Sequence, residues 1–467
     1  MPAPSIARAR RGAGPVRRPL VWAAVAAAAA CHTDVNNPGI VSPGALQTNA
    51  ALPTLIAGAT GDFAYAYAGD NGTTEGVILV GGLRADEWRN SDLFSTRIDV
   101  DRGTIDVNNA SVAAVFANLN RARRTAQTAE ASFGRLAPRD SRRALALSYD
   151  AYAYVLLAEH FCSGIPFTEL QSNGSSFAYG QPLTTPQVFQ IAKAKFDTAV
   201  RIAEAAAADT TQSSAVQSGA LQVSYLARVG RARAFVGLGR YDSAAASTGP
   251  VPTAFAFNVE YSTNTARENN GVYAFNVVSQ RWSVADKEGG NGLPFITAQD
   301  PRVPADSVGF GVDAFTPLYT YRPYSGYASP IPLATGIEAR LIEAEASLNG
   351  QLPGGGAADA LARLNALRAG GPAGLTALAA QPDAASRAQQ LFAERAFWLF
   401  ATAHRLGDMR RLIRPVSAGG YGLPFSTVFP VGPYPKGGAP YGADANLPVP
   451  VDELNNPNFK QCIDRTT

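Results

Sequence analysis

Residues that could do chemistry are few and poorly spaced for it. The 467-residue chain holds three histidines, His32, His160 and His404. No two of them have metal-ligand spacing, and no His-Glu-x-x-His pair occurs. Asp86 and Glu87 are adjacent, so on a strand they would point to opposite faces, which does not make a glycosidase pair. There is no Gly-x-Ser-x-Gly elbow. Gly354-Gly355-Gly356 lacks the Lys-Ser/Thr that completes a phosphate cradle and reads as a turn. A non-enzymatic protein is expected, with no cofactor and no bound metal.

The cysteines say more. Residues 1–18 carry Arg8, Arg10, Arg11, Arg17 and Arg18 and no acid, and Leu20 to Ala30 is uncharged. A basic stretch, a short apolar run and small residues before a polar break are the pattern of a secretory signal. Ala28-Ala29-Ala30-Cys31 resembles a lipobox, with Ala28 where Leu is favoured, so residues 1–30 are read as a lipoprotein signal and Cys31 as the lipidated residue. The rival reading is an ordinary cut with Cys31 an incidental thiol. An exported chain would leave Cys162 and Cys462 as an even pair in an oxidising compartment, and a Cys162–Cys462 disulfide is expected; two buried reduced thiols are the alternative.

Removing the signal removes five of the 40 basic residues, leaving 35 against 37 acids. That balance argues against a nucleic-acid partner, which would call for a basic stripe.

Helices dominate the middle of the chain. Leu145, Tyr149, Tyr152 and Leu156 recur at helical spacing, and the helix should end near Phe161 before Ser163-Gly164-Ile165-Pro166. Thr185 (as N-cap) and Pro186 open another, with Phe189, Ala192, Phe196, Ala199 and Ala203 on its buried face. Tyr225, Val229, Ala232 and Val236 lead through Leu238-Gly239-Arg240-Tyr241-Asp242 into an Ala-rich second helix, a pattern like a tetratricopeptide hairpin. Further stripes are Ile337 to Leu348, Ala360 to Leu367, and one running from Phe392 through Leu399 and Ala403 to Met409. With a helix around Val112 to Ala129, about four hairpins are expected. Residues 250–333 are rich in Pro, Gly, Asn and aromatics and contain β-like runs such as Val272 to Val278. Arg405–Asp408 reads as an i, i+3 pair, and Glu394, Arg395 and Arg410 as members of structural networks.

A lipoprotein signal followed by Asp34-Val35-Asn36-Asn37-Pro38 resembles the start of SusD/RagB outer-membrane nutrient-uptake lipoproteins. So do Gly336 to Ala346, Leu364 to Arg368, Glu394 to Leu399 with His404 to Arg411, and Leu447-Pro448-Val449-Pro450-Val451-Asp452 to Asn458. The resemblance implies a mainly α SusD-like fold in which about four tetratricopeptide-like hairpins support a loop-rich half with short β segments. It implies one domain over 31–467, with scaffold at about 108–250 and 334–412 and ligand-side segments at about 61–106, 251–333 and 413–467. It further implies a SusC-like TonB-dependent barrel as partner, an oligosaccharide or peptide ligand, and a lipid anchor in the outer membrane facing the exterior. By the same analogy, Glu87, Trp88, Arg89 and Asn90 are ligand-binding candidates. From the variable middle come Trp282, Tyr321, Arg322, Tyr324 and Tyr327, since sugar sites combine flat aromatics with a few polar groups. Packing of these aromatics onto the scaffold is the competing role. The first rival function is a periplasmic tetratricopeptide scaffold lipoprotein; the second is a secreted carbohydrate-active enzyme.

Overall fold

A computed structural model describes residues 48–170 and 176–466. Cys31 and the signal lie outside the described residues. Among the described residues no helix is long and apolar enough to cross a membrane.

The scaffold is a succession of packed helices: α1 (Leu52–Ala68), α2 (Val77–Arg84), α3 (Ser95–Arg102), α4 (Ala110–Leu136), α5 (Ser141–His160), α6 (Thr185–Ala207), α7 (Ser214–Gly237) and α8 (Tyr241–Thr248). After the loop-rich middle follow α9 (Gly336–Leu348), α10 (Ala357–Ala369), α11 (Ala384–Trp398) and α12 (Arg405–Ile413). Half of these twelve starts are capped by short polar side chains, which satisfy otherwise orphaned amides. Asn109 Oδ1 accepts from Val112 N, Asp140 Oδ1 from Arg142 N, and Thr335 Oγ1 from Glu338 N. The N-cap before α6 is Thr184, one residue earlier than expected, in a capping box with Gln187. Neighbouring helices from α4 to α8 pack in sequence order, and α1 packs on α4.

The expected faces are the observed ones. Phe189, Ala192, Phe196, Ala199 and Ala203 are all buried. Close approach of α7 to its neighbours also uses glycine: a Cβ on Gly230 would meet the Phe196 ring at 2.3 Å and Tyr152 at 2.8 Å. Cys162 and Cys462 form the expected disulfide, with Cα atoms 5.9 Å apart, tying the end of α5 to the C-terminal tail.

Three expectations need correction. The stripe from Phe392 to Met409 is not one helix. It breaks at 399–404, where Ala401 and Ala403 have φ of 56° and 58°. The break is held by side chains from elsewhere. Glu87 Oε1 accepts from Ala401 N (3.2 Å), Tyr324 OH donates to Ala401 O (3.1 Å), Tyr67 OH to Thr402 O (2.9 Å) and Arg233 Nη2 to Ala403 O (2.6 Å). Val272 to Val278 is helical, not extended: Gly271–Tyr273 is an α turn and Ala274–Val278 a π turn. Asn270 Oδ1 caps it by accepting from Tyr273 N. Residues 61–106, expected to be loop-rich, contain the end of α1 and all of α2 and α3.

The strands are short antiparallel pairs. β1 (Trp88–Asn90) pairs with β7 (Trp282–Val284), β2 (Ile165–Pro166) with β5 (Pro182–Leu183), and β3 (Glu169–Leu170) with β4 (Phe177–Ala178). β6 (Ala256–Val259) pairs with β10 (Ile331–Thr335), and β8 (Ala305–Phe310) forms a hairpin with β9 (Pro317–Tyr321).

Candidate functional site: an exposed aromatic edge

The β1–β7 pair brings together the two segments chosen from sequence, with Asn90 opposite Trp282 and Trp88 opposite Val284. It places most of their side chains inside. Trp88, Trp282, Asn90 and Glu87 are at most 1% exposed. Trp88 packs on Phe400, and Trp282 on Phe275. Glu87 is driven up to about 8 by burial, with the neighbouring Asp86 charge adding to the rise and the Ala401 amide opposing it. These four are core residues, which corrects their assignment as ligand contacts: a side chain sealed on all sides leaves no face for a sugar.

The remaining candidates are distributed. Arg89 pairs through Nε with Glu288 at 2.6 Å and keeps about a quarter of its side chain exposed. Tyr321 and Tyr324 stack edge-on and are buried, not near the surface as their turn residues suggested; with Thr402 and His404 they wall a cavity of about 370 Å³. Tyr327 is half-buried with its ring against Tyr273, and Arg322 is exposed beside Asp306.

The exposed rings lie a few residues further on. Leu93 and Phe94, immediately after β1, are 74% and 55% exposed, and Phe310 and Phe315 at the β8–β9 tip are 61% and 59% exposed. Val278, Val308 and Val312 are also exposed. Main-chain bonds draw these segments together: Asp313 N donates to Ser91 O (3.0 Å), Val312 N to Gln280 O (3.3 Å) and Ser91 N to Arg281 O (3.0 Å). Gly311 permits the approach, because a Cβ there would lie 2.3 Å from Ser91 Cβ. Gln280 and Ala314 both hold φ of 54°, backbone strain that persists only where surroundings enforce it.

Polar side chains lock this edge. Lys436 Nζ donates to Asp92 O (2.8 Å) and pairs with the Asp313 carboxylate (2.7 Å), bridging the two loops. Burial works to raise the Asp313 carboxyl, but hydrogen bonds from Lys436, Thr316 and Phe315 outweigh it and hold the group down at about 2. The Asp92 carboxylate takes Arg97 and Arg281. Both guanidiniums lie against the Phe94 ring, at 4.9 and 5.1 Å from its centroid, so the ring is steadied from behind by cation–π contact. Beneath, Tyr434 OH donates to Asp101 (2.9 Å), and burial together with the Glu288 charge drives Asp101 up to about 7.

The arrangement is a preorganised apolar and aromatic edge with cations and backbone groups beside it. It is the candidate interaction site, since contiguous exposed apolar surface is where partners and ligands dock. Sequence reasoning stopped at Asn90, three residues short of Leu93. It missed the 308–315 tip because the alternation Val308, Phe310, Val312 lies in a stretch without a matching motif. Lys436 carried no signal of its own.

The described residues thus form a helical scaffold with a loop-built edge. No family model matches the sequence, and no curated protein matches it. Solved structures do. A SusD superfamily protein from Parabacteroides distasonis aligns with a TM-score of 0.62 at 15% identity, over 88% of this chain and 98% of that one. Surface glycan-binding protein A from Bacteroides uniformis aligns at 0.58 and 14% identity, over 89% and 99%. A SusD-like carbohydrate-binding protein from Bacteroides vulgatus aligns at 0.55 and 12% identity, over 77% and 83%. The chain has the SusD-like fold.

Proposed function

We propose that this protein is an outer-membrane lipoprotein that binds a nutrient glycan and acts as a lid, delivering it to a SusC-like TonB-dependent barrel. The observation that carries the binding role is the locked aromatic edge formed by Leu93-Phe94 and the 308–315 tip. Flat apolar rings suit the apolar faces of sugars, and the adjacent Arg281 and Lys436 suit hydroxyls. The glycan-binding roles of two fold relatives support the same ligand class. Anchoring rests on Cys31, whose lipid would keep the lid close to its barrel at high effective concentration. The protein works by binding, without covalent chemistry.

Two experiments test location and partner together. Detergent-solubilised membranes should yield the protein with a large β-barrel, and protease added to intact cells should degrade it. A protein that is fully protected and purifies without a barrel refutes the lid reading.

A further inference from the structure

The helical half contains a second cavity, away from the aromatic edge, of about 270 Å³. It lies where the end of α5, the start of α6, α7 and α12 converge, with the C-terminal tail contributing Asp464. Five arginines line it, Arg233, Arg395, Arg410, Arg411 and Arg414, against three carboxylates, Glu159, Asp408 and Asp464.

Most of these side chains are engaged. Arg233 grips Glu159 through Nε at 2.8 and 3.0 Å. Arg395 grips Asp408 at 2.7 and 3.0 Å, and Arg411 shares Asp408 while reaching Glu345 outside the wall. Arg410 Nη1 donates to the carbonyls of Ala158, Glu159 and Phe161 at the end of α5, at 2.9, 2.8 and 2.9 Å. Arg414 meets two carbonyls, Gly237 O at 2.8 Å and Gly419 O at 3.1 Å, and pairs with no carboxylate among the described residues. Five arginines thus face three carboxylates across the wall, and Glu345 outside it is a fourth.

Two further observations point the same way. The first turn of the 23-residue α6 supplies Thr185 and Pro186 to the wall, and a helix start is electropositive. Arg233 Nη1 and Arg395 Nη1, on residues 4% and 3% exposed, have no hydrogen-bond partner, nor has Arg414 Nε. A buried donor left without an acceptor is costly. Burial lowers Arg410 to about 10, with Arg414 adding to the effect, and burial lowers Arg414 too, helped by Arg411. Access is open, because Pro186, Pro415 and Ala418 at the rim are exposed.

We propose that this cavity binds a small oxyanion of phosphate or sulfate size, with Arg414 as the ion-pairing group and the start of α6 beside it. The volume exceeds what a few waters need, at about 30 Å³ each. The oxyanion could arrive free or as an ester on a sugar.

Isothermal titration of the exported protein with sodium sulfate and with sodium phosphate, against sodium chloride at matched ionic strength, tests this. One saturable site is expected, weakened at least tenfold by Arg414→Gln. Ala418→Glu, which adds a carboxylate at the rim and removes no buried group, should weaken it as well, and decides the matter if Arg414→Gln does not fold. N-acetylglucosamine 6-sulfate tightening over inorganic sulfate would identify an ester as the ligand; the reverse order would identify the free ion. No heat beyond chloride, or undiminished binding in the Ala418→Glu protein, overturns the proposal.

Discussion

The helical half and the loop-rich half use the same side chains to opposite ends. In the helical half the backbone satisfies itself, so aromatic rings such as Tyr152 and Phe196 are left to pack, at 5.1 Å against each other over Gly230. In the loop-rich half the backbone is satisfied by side chains. Asp313 accepts two amides at the β8–β9 tip, Asn276 bonds the Trp282 and Tyr319 carbonyls and the Tyr321 amide, and Lys436 closes the gap between loops. Polar residues there do structural duty inside, and Phe94, Phe310 and Phe315 stand outside. The boundary falls within a few residues, since Trp88 is sealed and Phe94 is half in solvent.

That contrast can be broken first where the scaffold is most tightly wired. Asp408 lies between Arg395 and Arg411, and burial is outweighed by these two cations, which hold its carboxyl far below the usual range. Asp408→Asn should cost about 3–5 kcal/mol by urea unfolding, because it leaves buried guanidiniums uncompensated. The carboxyl is depressed in the fold, so this contribution is complete above the ordinary carboxylate pKa and lost only in strong acid. Trp88→Ala should cost a similar amount, about 3–5 kcal/mol, by opening a cavity against Phe400. An unchanged melting temperature would return Trp88 to the surface.

Glu87 sharpens the comparison through pH. Its folded pKa of about 8 is raised above the ordinary 4.5, so folding takes up a proton. Stability from this group is full below about 4.5 and declines as pH rises to about 8. Glu87→Gln keeps an acceptor for Ala401 N and should exceed the wild type by roughly 1–3 kcal/mol at pH 9, with the gain vanishing near pH 4. The smallest expected effect is the most telling: Phe94→Ala should change stability by less than about 0.5 kcal/mol, although it lies six residues from Trp88.

Much of the scaffold was legible because α4 to α10 keep a 3.6-residue apolar period and use small residues where helices cross. The break at 399–404 was not, since Leu399, Ala403 and Leu406 are buried across it, as a continuous helix face would be. Its cause is long-range, in Glu87, Tyr67, Tyr324 and Arg233. The expected Arg405–Asp408 pair failed for the same reason: Arg405 instead grips Asp86 at 2.6 Å, and Asp408 grips Arg395. At the site, periodicity could not tell a buried Trp from an exposed Phe on irregular backbone, because the loop contacts that decide it join residues 91–94, 280–281, 311–316 and 436.

Glycan binding is proposed for the edge around Phe94 and Phe315. Affinity electrophoresis against a panel of polysaccharides, run with wild type and with a Phe94→Ala/Phe315→Ala double variant, tests it most directly. At least one polysaccharide should retard the wild type, with retardation lost in the double variant and the melting temperature within about 2 °C. Equal retardation of the two proteins would contradict it.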